Sequence, residues 1–183
     1  MKDYDESEVI KMTTKIYPDR EIWEYVDQEF AKRDISLAMI AQHAYDHQVQ
    51  FNPDITLDEA QMAVGKVLKK REVLNALMVA LTLDNLANEH KLPEPLQTII
   101  AEDNPYFGVD EMLAINGIAQ LYGSIAVSNF GYLDVHKSST ARRLDQNQKN
   151  GGRIATMLDD CISAIQACAE GYLAHNMAQD DLE

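Results

Sequence analysis

Positive charge, cysteine and tryptophan are scarce in this sequence of 183 residues. Its 30 acidic side chains face only 16 lysines and arginines, which gives a formal net charge of −14. That charge repels a nucleic-acid backbone, and no basic stripe with interleaved aromatic residues is present to overcome the repulsion. We therefore expect no nucleic-acid partner, and an anionic membrane surface is disfavoured for the same reason.

The two cysteines give no sign of a disulfide framework. Cys161 and Cys168 are seven positions apart in a segment with helical periodicity, which places them about 10 Å apart along the helix axis, too far for a bridge. We expect both to be small core residues. Residues 1–8 contain five charged side chains and no apolar run follows them, so a signal peptide is not predicted and the expected location is the cytoplasm.

Long hydrophobic runs are also rare, and one stretch requires a test as a membrane span. Residues 112–133 contain no charge over 22 positions, enough in principle to cross a bilayer of about 30 Å. Polar residues and three glycines interrupt the stretch, however, and no Lys/Arg cluster flanks it. A buried core helix is the better interpretation, and we expect no transmembrane segment.

Alternating β-type patterns are missing, whereas helical periodicity dominates the chain. Ser36 is a predicted N-cap, and Thr56 with Glu59 forms a capping-box pattern. After Pro18 a first helix is expected, followed by helices over residues 36–49, 56–69, 71–90, 96–102, 109–126 and 153–177. The predicted fold class is all-α, a compact helical bundle of about seven or eight helices with a central buried helix.

The chain length predicts one domain. Residues 1–18 read as a partly ordered acidic lead-in and residues 19–183 as a single helical domain. The segment 71–90 has a wide apolar stripe, which makes it the candidate for the central helix. The same stripe leaves a homo-oligomer open, because periodicity does not distinguish core from interface.

Two adjacent aspartates are the main anomaly of the sequence. Asp159 and Asp160 are the only charged residues between Ile154 and Ala169, in the middle of an otherwise apolar helix. An isolated buried carboxylate is costly to ionise, so it must be protonated, paired with a cation, or bound to a metal.

A second uncharged segment is bounded by carboxylates on both sides. Asp110 and Glu111 open it, and the next charged residue is Asp134. Together with Asp159 and Asp160 these residues provide the oxygen ligands that Mg²⁺ or Mn²⁺ prefers. The alternative for Asp110 and Glu111 is a simple interaction with the dipole of the helix N-terminus.

The segment between these carboxylates is unusually basic. Five of the sixteen basic residues lie within the seventeen positions 137–153, namely Lys137, Arg142, Arg143, Lys149 and Arg153. A metal that bridges a phosphoryl oxygen, with Lys or Arg on the other oxygens, is a common arrangement for phosphoester hydrolysis. We therefore predict Lys137, Arg142 and Arg153 as phosphate contacts; the alternative is that these bases only balance neighbouring acids on a solvated face.

Other signals are weaker. His43 and His47 have the i, i+4 spacing of a metal pair, but a packing or solvated role is favoured in the absence of a third ligand. The sequence has no G-x-S-x-G, P-loop, G-x-G-x-x-G or CxxC pattern, so serine hydrolase, NTPase, Rossmann and redox functions lack support.

The acidic motifs resemble those of the bacterial phosphatidylglycerophosphatase A family. The motif segments that carry the resemblance are Val109-Asp110-Glu111, Asp134-Val135-His136-Lys137, Gly151-Gly152 and Met157-Leu158-Asp159-Asp160. Further segments look like its soluble, Gram-positive, YutG-like branch: Lys70-Arg71-Glu72-Val73, Leu92-Pro93-Glu94-Pro95-Leu96, Tyr122-Gly123-Ser124 and Asn129-Phe130-Gly131-Tyr132-Leu133-Asp134. The resemblance extends over residues 35–176.

This resemblance implies an all-α bundle and, in the membrane-bound relatives, Mg²⁺-dependent removal of phosphate from phosphatidylglycerophosphate. Carried over by position, Asp110, Glu111, Asp134, Asp159 and Asp160 are the acidic motif residues, with Lys137 as a phosphate contact. We expect a phosphatase of lipid metabolism that acts on a phospholipid headgroup or a phosphorylated small molecule, with Asp134, Asp159 and Asp160 as catalytic residues. A catalytically inactive metal- or metabolite-binding module and an all-α nucleotide pyrophosphohydrolase remain alternatives.

Overall fold

The computed structural model describes residues 17–180, with side chains as far as residue 175. Within this range the chain forms nine α-helices and one 3₁₀ helix, in agreement with the predicted all-α class. The α-helices are α1 (Asp19–Ala31), α2 (Leu37–Gln48), α3 (Leu57–Leu68), α4 (Arg71–Asn88), α5 (Leu96–Ala101), α6 (Val109–Gly117), α7 (Gly123–Val135), α8 (Ser139–Lys149) and α9 (Thr156–Asp180), and the 3₁₀ helix is Ala119–Tyr122. Nearly all of the predicted acidic lead-in, residues 1–16, lies outside the described residues.

The predicted helix start signals are confirmed. The side chain of Ser36 accepts a hydrogen bond from the backbone N–H of Met39 at the start of α2. At the start of α3, Thr56 and Glu59 form both halves of a capping box. These side chains satisfy backbone N–H groups that have no partner within the helix.

The central helix of the bundle is α9. Every residue from 155 to 171 is buried, and α2, α3, α4, α6, α7 and α8 all pack around this helix. The candidate predicted from the sequence, α4, is instead a peripheral member, since Arg71, Glu72 and Val79 are exposed. Ala164 and Ala167 of α9 are completely buried, and such small side chains let neighbouring helices approach this helix closely.

The predicted helix over 109–126 is in fact two helices with a short 3₁₀ segment between them. The break falls between Gly117 and Gly123, and the second helix, α7, continues to Val135, beyond the predicted end. Gly123 has a φ of +77°, a backbone conformation that favours glycine. At Gly117 an added Cβ would lie 2.9 Å from Ala76 Cβ, so the close approach of α6 to α4 requires a residue without a side chain.

Two further findings concern segments between the apolar helices. The polar connection before Gly151 contains a helix, α8, that the sequence analysis did not predict; its polarity is typical of a surface helix, and only Thr140, Ala141 and Leu144 are buried. In the described part of the chain, no helix combines the length and the apolar character that a bilayer crossing requires. Cys161 and Cys168 are free and buried, as expected of core residues.

Candidate metal centre

Asp159 and Asp160 lie in the first turns of α9, and a third aspartate fixes the position of this helix. Asp84 on α4 is completely buried, and its two carboxylate oxygens accept hydrogen bonds from the backbone N–H groups of Met157 and Leu158, each 3.1 Å long. The N–H of Leu158 also donates to the backbone carbonyl of Ala155 at 3.0 Å, whereas that of Met157 is one of the N–H groups that a helix leaves unpaired at its N-terminus. Asp84 therefore attaches the start of α9 to α4, and this contact fixes where Asp159 and Asp160 lie along the bundle axis.

Lys137 connects the two aspartates to Asp134. Its Nζ lies 2.5 Å from Asp159 Oδ2, 3.1 Å from Asp160 Oδ1 and 3.1 Å from Asp134 Oδ1. Asp159 and Asp160 are each only 6% exposed, whereas Asp134 is 30% exposed. One ammonium group thus partly neutralises three carboxylates, and Asp134 is the member of this network that faces solvent.

Asp110 and Glu111 approach the same cluster from the first turn of α6. One carboxylate oxygen from each of Asp110, Glu111 and Asp160 lies within 4.8 Å of the others. Asp110 Oδ1 and Glu111 Oε2 are buried and have no hydrogen-bond partner among the described residues. Buried oxygens without a partner are rare in folded proteins, and three convergent carboxylates form a donor set that fits a hard divalent cation.

The electrostatics of the cluster agree with a missing positive charge. Burial raises the pKa of Asp110, and the adjacent Glu111 adds to the shift. Burial also raises the pKa of Asp160. The nearby Asp159 carboxylate adds to this shift, and its effect is larger than the opposing effect of Lys137. Lys137 has its own pKa raised by Asp159 and Asp160 despite burial. Five acidic side chains around one lysine leave an excess of negative charge that a cation would neutralise.

The structure does not bring all of the predicted residues to this centre. Arg142 is exposed on α8, and within residues 17–175 it has no hydrogen bond or ion pair with the carboxylates. Arg153 lies in another polar cluster, where its Nη2 donates a hydrogen bond of 2.7 Å to Asn85 Oδ1. Of the three predicted phosphate contacts, only Lys137 contacts the carboxylates.

His43 and His47 have separate partners, as a packing role predicts. His43 Nε2 lies 3.1 Å from Thr140 Oγ1, and His47 Nδ1 lies 2.8 Å from Glu170 Oε2. Burial lowers the pKa of His43, whereas the hydrogen bond to Glu170 raises the pKa of His47. The two rings therefore contribute to different contacts and do not form a shared site.

Asp84 and Glu170 are buried carboxylates that the sequence analysis did not single out. A signal for Asp84 existed, since it continues the buried stripe formed by Leu77 and Leu81 on α4, where an apolar residue is expected. Glu170 follows the same rule on α9, where it is 1% exposed. A charged residue at an interior position of a stripe indicates a specific polar partner.

Comparison with known proteins identifies the family of this chain. The family model described as phosphatidylglycerophosphatase A matches residues 36–175, which include all five carboxylates and Lys137. The chain therefore belongs to the phosphatidylglycerophosphatase A family. The uncharacterized protein YutG of Bacillus subtilis is 43% identical over 144 residues, which cover 79% of this chain and 85% of that protein.

Solved structures of relatives have the same fold. The crystal structure of YpjQ from Bacillus subtilis is 36% identical, with a TM-score of 0.81, and the match covers 91% of this chain and 100% of that one. The low temperature requirement C protein from Listeria monocytogenes is 36% identical, with a TM-score of 0.79, and the match covers 86% of this chain and 97% of that one.

Proposed function

We propose that this protein is a Mg²⁺- or Mn²⁺-dependent phosphatase that hydrolyses a phosphomonoester, either phosphatidylglycerophosphate or a soluble analogue, in the cytoplasm. The observation that supports this proposal most directly is the pair of buried, unpartnered oxygens on Asp110 and Glu111 beside Asp160. Family membership supports phosphatase chemistry, and the basic side chain of Lys137 beside the acids supports a phosphate ligand.

The residues divide into two groups by position. Asp110, Glu111 and Asp160 would hold the divalent ion. Asp134 and Asp159 would lie beside this metal site, because both contact Lys137. When bound, such an ion would act as a Lewis acid on a phosphoryl oxygen. Oxygen ligands alone favour Mg²⁺ or Mn²⁺ over softer metals.

Lys137 is suited to a phosphate because its ammonium has three N–H donors. In the structure Nζ donates hydrogen bonds to Asp159 and Asp160 and lies 3.1 Å from Asp134 Oδ1, and the more exposed Asp134 is the partner that a phosphate oxygen would replace most readily. The ammonium would then orient the phosphate while Asp159 retains the close contact of 2.5 Å. Lys137 would hold the substrate without leaving its place in the cluster.

Asp159 is the proposed proton acceptor. Burial raises the pKa of its carboxyl group, and Lys137 opposes the shift, so the group is poised closer to neutrality than an exposed aspartate. It would take the proton of the attacking water as the oxygen bonds to phosphorus and the ester oxygen departs. The departing oxygen takes a proton from solvent, and the products are an alcohol and inorganic phosphate.

A second function, a metal- or metabolite-binding module without catalysis, is favoured by one observation. Lys137 already contacts three carboxylates, and an ammonium so fully paired is typical of a structural network. In that case a divalent ion would bind at Asp110, Glu111 and Asp160 with no reaction to follow.

Phosphate release by the purified protein, with Mg²⁺, Mn²⁺ or EDTA, tests the proposal. The substrate panel contains p-nitrophenyl phosphate, soluble phosphomonoesters and phosphatidylglycerophosphate in detergent micelles. We expect metal-dependent release that Asp160→Asn abolishes. Asp27→Asn, a change of the same kind at an exposed position of α1, should retain the wild-type rate.

Each contrary outcome has a distinct meaning. Unchanged turnover in the Asp160→Asn variant would remove the site assignment. Absence of turnover on the whole panel, together with Mn²⁺ binding that Asp160→Asn abolishes, would establish the binding module. Release of pyrophosphate from nucleoside triphosphates would identify a pyrophosphohydrolase.

A further inference from the structure

A recess lined by basic side chains lies away from the carboxylate centre. It is formed by the end of α1, by α8 and by the segment that precedes α9, and its volume is about 360 Å³. Four cationic residues line it: Lys32, Arg33, Arg143 and Arg153. Pockets of this volume accommodate small ligands.

The floor of the recess is a buried ion pair. The side chain of Arg33 is only 2% exposed, and its Nη1 lies 2.6 Å from Glu29 Oε2. Its Nη2 donates a hydrogen bond of 2.8 Å to Asn85 Oδ1. Arg153 reaches the same acceptor, and its Nη2 lies 3.7 Å from Glu29 Oε2. Two guanidinium groups therefore converge on one amide oxygen and one carboxylate.

Positive charge exceeds negative charge in this recess. Glu29 also pairs with Lys32 at 2.5 Å, so a single carboxylate faces three cations. Arg143 adds a fourth, and its Nη2 donates to the backbone carbonyls of Arg33 and Asp34. Even when the Asp34 carboxylate is included, four cations face two anions, in a protein whose net charge is −14. Such a local excess attracts anions.

Two buried donors lack an acceptor. Within the described part of the chain, the Nε atoms of Arg33 and Arg153 are both buried without a hydrogen-bond partner, which is a rare state for a charged group. Burial and the neighbouring Arg33 lower the pKa of Arg153, so its surroundings do not fully compensate its charge. An anion in the recess would supply both the acceptor and the countercharge.

We propose that this recess is a binding site for a small phosphorylated anion, separate from the carboxylate centre. A guanidinium group can donate hydrogen bonds to two phosphate oxygens at once. The side chain of Arg153 is 38% exposed, so its guanidinium can contact a ligand, while the buried Arg33 contributes positive charge at the floor of the recess. The proposal does not depend on the phosphatase function, since among residues 17–175 the four cations of the recess form no hydrogen bond or ion pair with Lys137 or the metal-binding carboxylates.

The test is a titration in EDTA, which removes any ion from the carboxylate centre. The probes are inorganic phosphate and glycerol 3-phosphate at constant ionic strength, followed through the Nε–Hε signals of the arginines by NMR. We expect saturable shifts in the signals of Arg33 and Arg153. In Arg153→Gln the affinity for the anion should fall about tenfold or more, because a hydrogen bond to a charged group is lost. Arg20→Gln, the same change at an exposed position of α1, should bind as wild type does.

Further measurements distinguish folding from binding and separate two sources of phosphate. Thermal melts show whether Arg153→Gln is folded, and Arg143→Gln, which changes the rim and not the floor, gives a second weakened variant. Sedimentation with phosphatidic acid vesicles tests a lipid headgroup: vesicle binding that Arg153→Gln abolishes would identify the headgroup as the phosphate source. Non-saturating shifts, or equal affinities in wild type and folded Arg153→Gln, would overturn the proposal.

Discussion

Asp84 Oδ2 accepts a hydrogen bond of 3.1 Å from the backbone N–H of Leu158. Asp84 belongs to α4 and Leu158 to the first turn of α9, so the bond joins two helices through residues that are 74 positions apart in the sequence. Its other oxygen accepts from the N–H of Met157. A carboxylate at a helix N-terminus also interacts favourably with the helix dipole. The position of Asp159 and Asp160 thus depends on a residue outside their own helix.

The first prediction concerns this contact. Asp84→Leu leaves the buried N–H of Met157 without an acceptor, at a cost of about 1–3 kcal/mol of folding stability, while the N–H of Leu158 keeps its bond of 3.0 Å to the Ala155 carbonyl. Asp84→Asn keeps one side-chain acceptor and should cost less. The free energy of unfolding from urea titration measures both, with Asp27→Asn as an exposed control expected to change stability by less than about 0.5 kcal/mol. Equal stabilities for Asp84→Leu and wild type would refute the anchoring role of Asp84.

Local signals explain which parts of the fold could be predicted. Ser36, Thr56 and Glu59 act on backbone groups within one turn of themselves, so the sequence alone specifies those helix starts. The split of residues 109–126 could not be predicted in the same way. It depends on the contact between Gly117 and Ala76, which exists only after α6 has packed against α4.

The candidate site shows the same limit. Asp159 and Asp160 stand out because their helix is otherwise uncharged, and Lys137, which contacts both, lies 22 and 23 positions before them. Arg153 is closer to them along the chain, only six and seven positions away, yet its side chain is directed to Asn85, 68 positions earlier. Proximity in sequence does not fix which side of the helix start a side chain occupies.

The second prediction concerns Lys137 and pH. Removing the ammonium in Lys137→Met leaves Asp134, Asp159 and Asp160 without their shared counterion, and loss of one partner of a buried pair costs about 3–5 kcal/mol. The pKa values of Asp159 and Asp160 are already raised, and loss of Lys137 raises them further in the folded state. An acid with a raised folded pKa binds its proton more tightly after folding, so stability falls as pH rises.

The deficit of Lys137→Met relative to wild type should therefore grow between pH 5 and pH 8, as measured by urea unfolding at each pH. Lys69→Met removes the same charge from an exposed position at the end of α3 and should show little change. The double variant Lys137→Met with Asp159→Asn should recover part of the loss at pH 8. A deficit independent of pH would mean that packing of the lysine chain, and not its charge, stabilises the cluster.

The third prediction separates a metal ligand from a simple helix-dipole contact at Asp110. If Asp110 is a ligand, Asp110→Asn should raise the melting temperature in EDTA, because it removes a buried charge beside Glu111. It should also abolish the rise that Mn²⁺ produces in the wild type. If Asp110 only favours the dipole, the variant loses about 0.3–1 kcal/mol with or without metal.

The two interpretations of Asp110 thus predict opposite signs in EDTA, which makes the melting temperature decisive. Glu102→Gln, an acid of the preceding segment that is exposed, serves as a control and should keep the full response to Mn²⁺. A destabilised Asp110→Asn variant that still responds to Mn²⁺ would remove Asp110 from the ligand set.

The fourth prediction concerns the packing that holds α6, and with it Asp110 and Glu111, against α4. Gly117→Ala would place a methyl group 2.9 Å from Ala76 Cβ, which is closer than two methyl groups approach without displacement. Overpacking of this kind costs about 1–3 kcal/mol of folding stability, and Ala76→Gly in the same chain should restore part of that stability by making room.

Gly131→Ala is the matched control. Gly131 lies within α7 with nothing inside 4 Å of the added methyl group, so the helix propensity of alanine should stabilise the protein by up to about 1 kcal/mol. Urea unfolding measures the change in the free energy of unfolding for both substitutions. Opposite signs of this change would show that the contact with Ala76, and not backbone flexibility, requires glycine at position 117. A stabilising Gly117→Ala would contradict this explanation of the helix break.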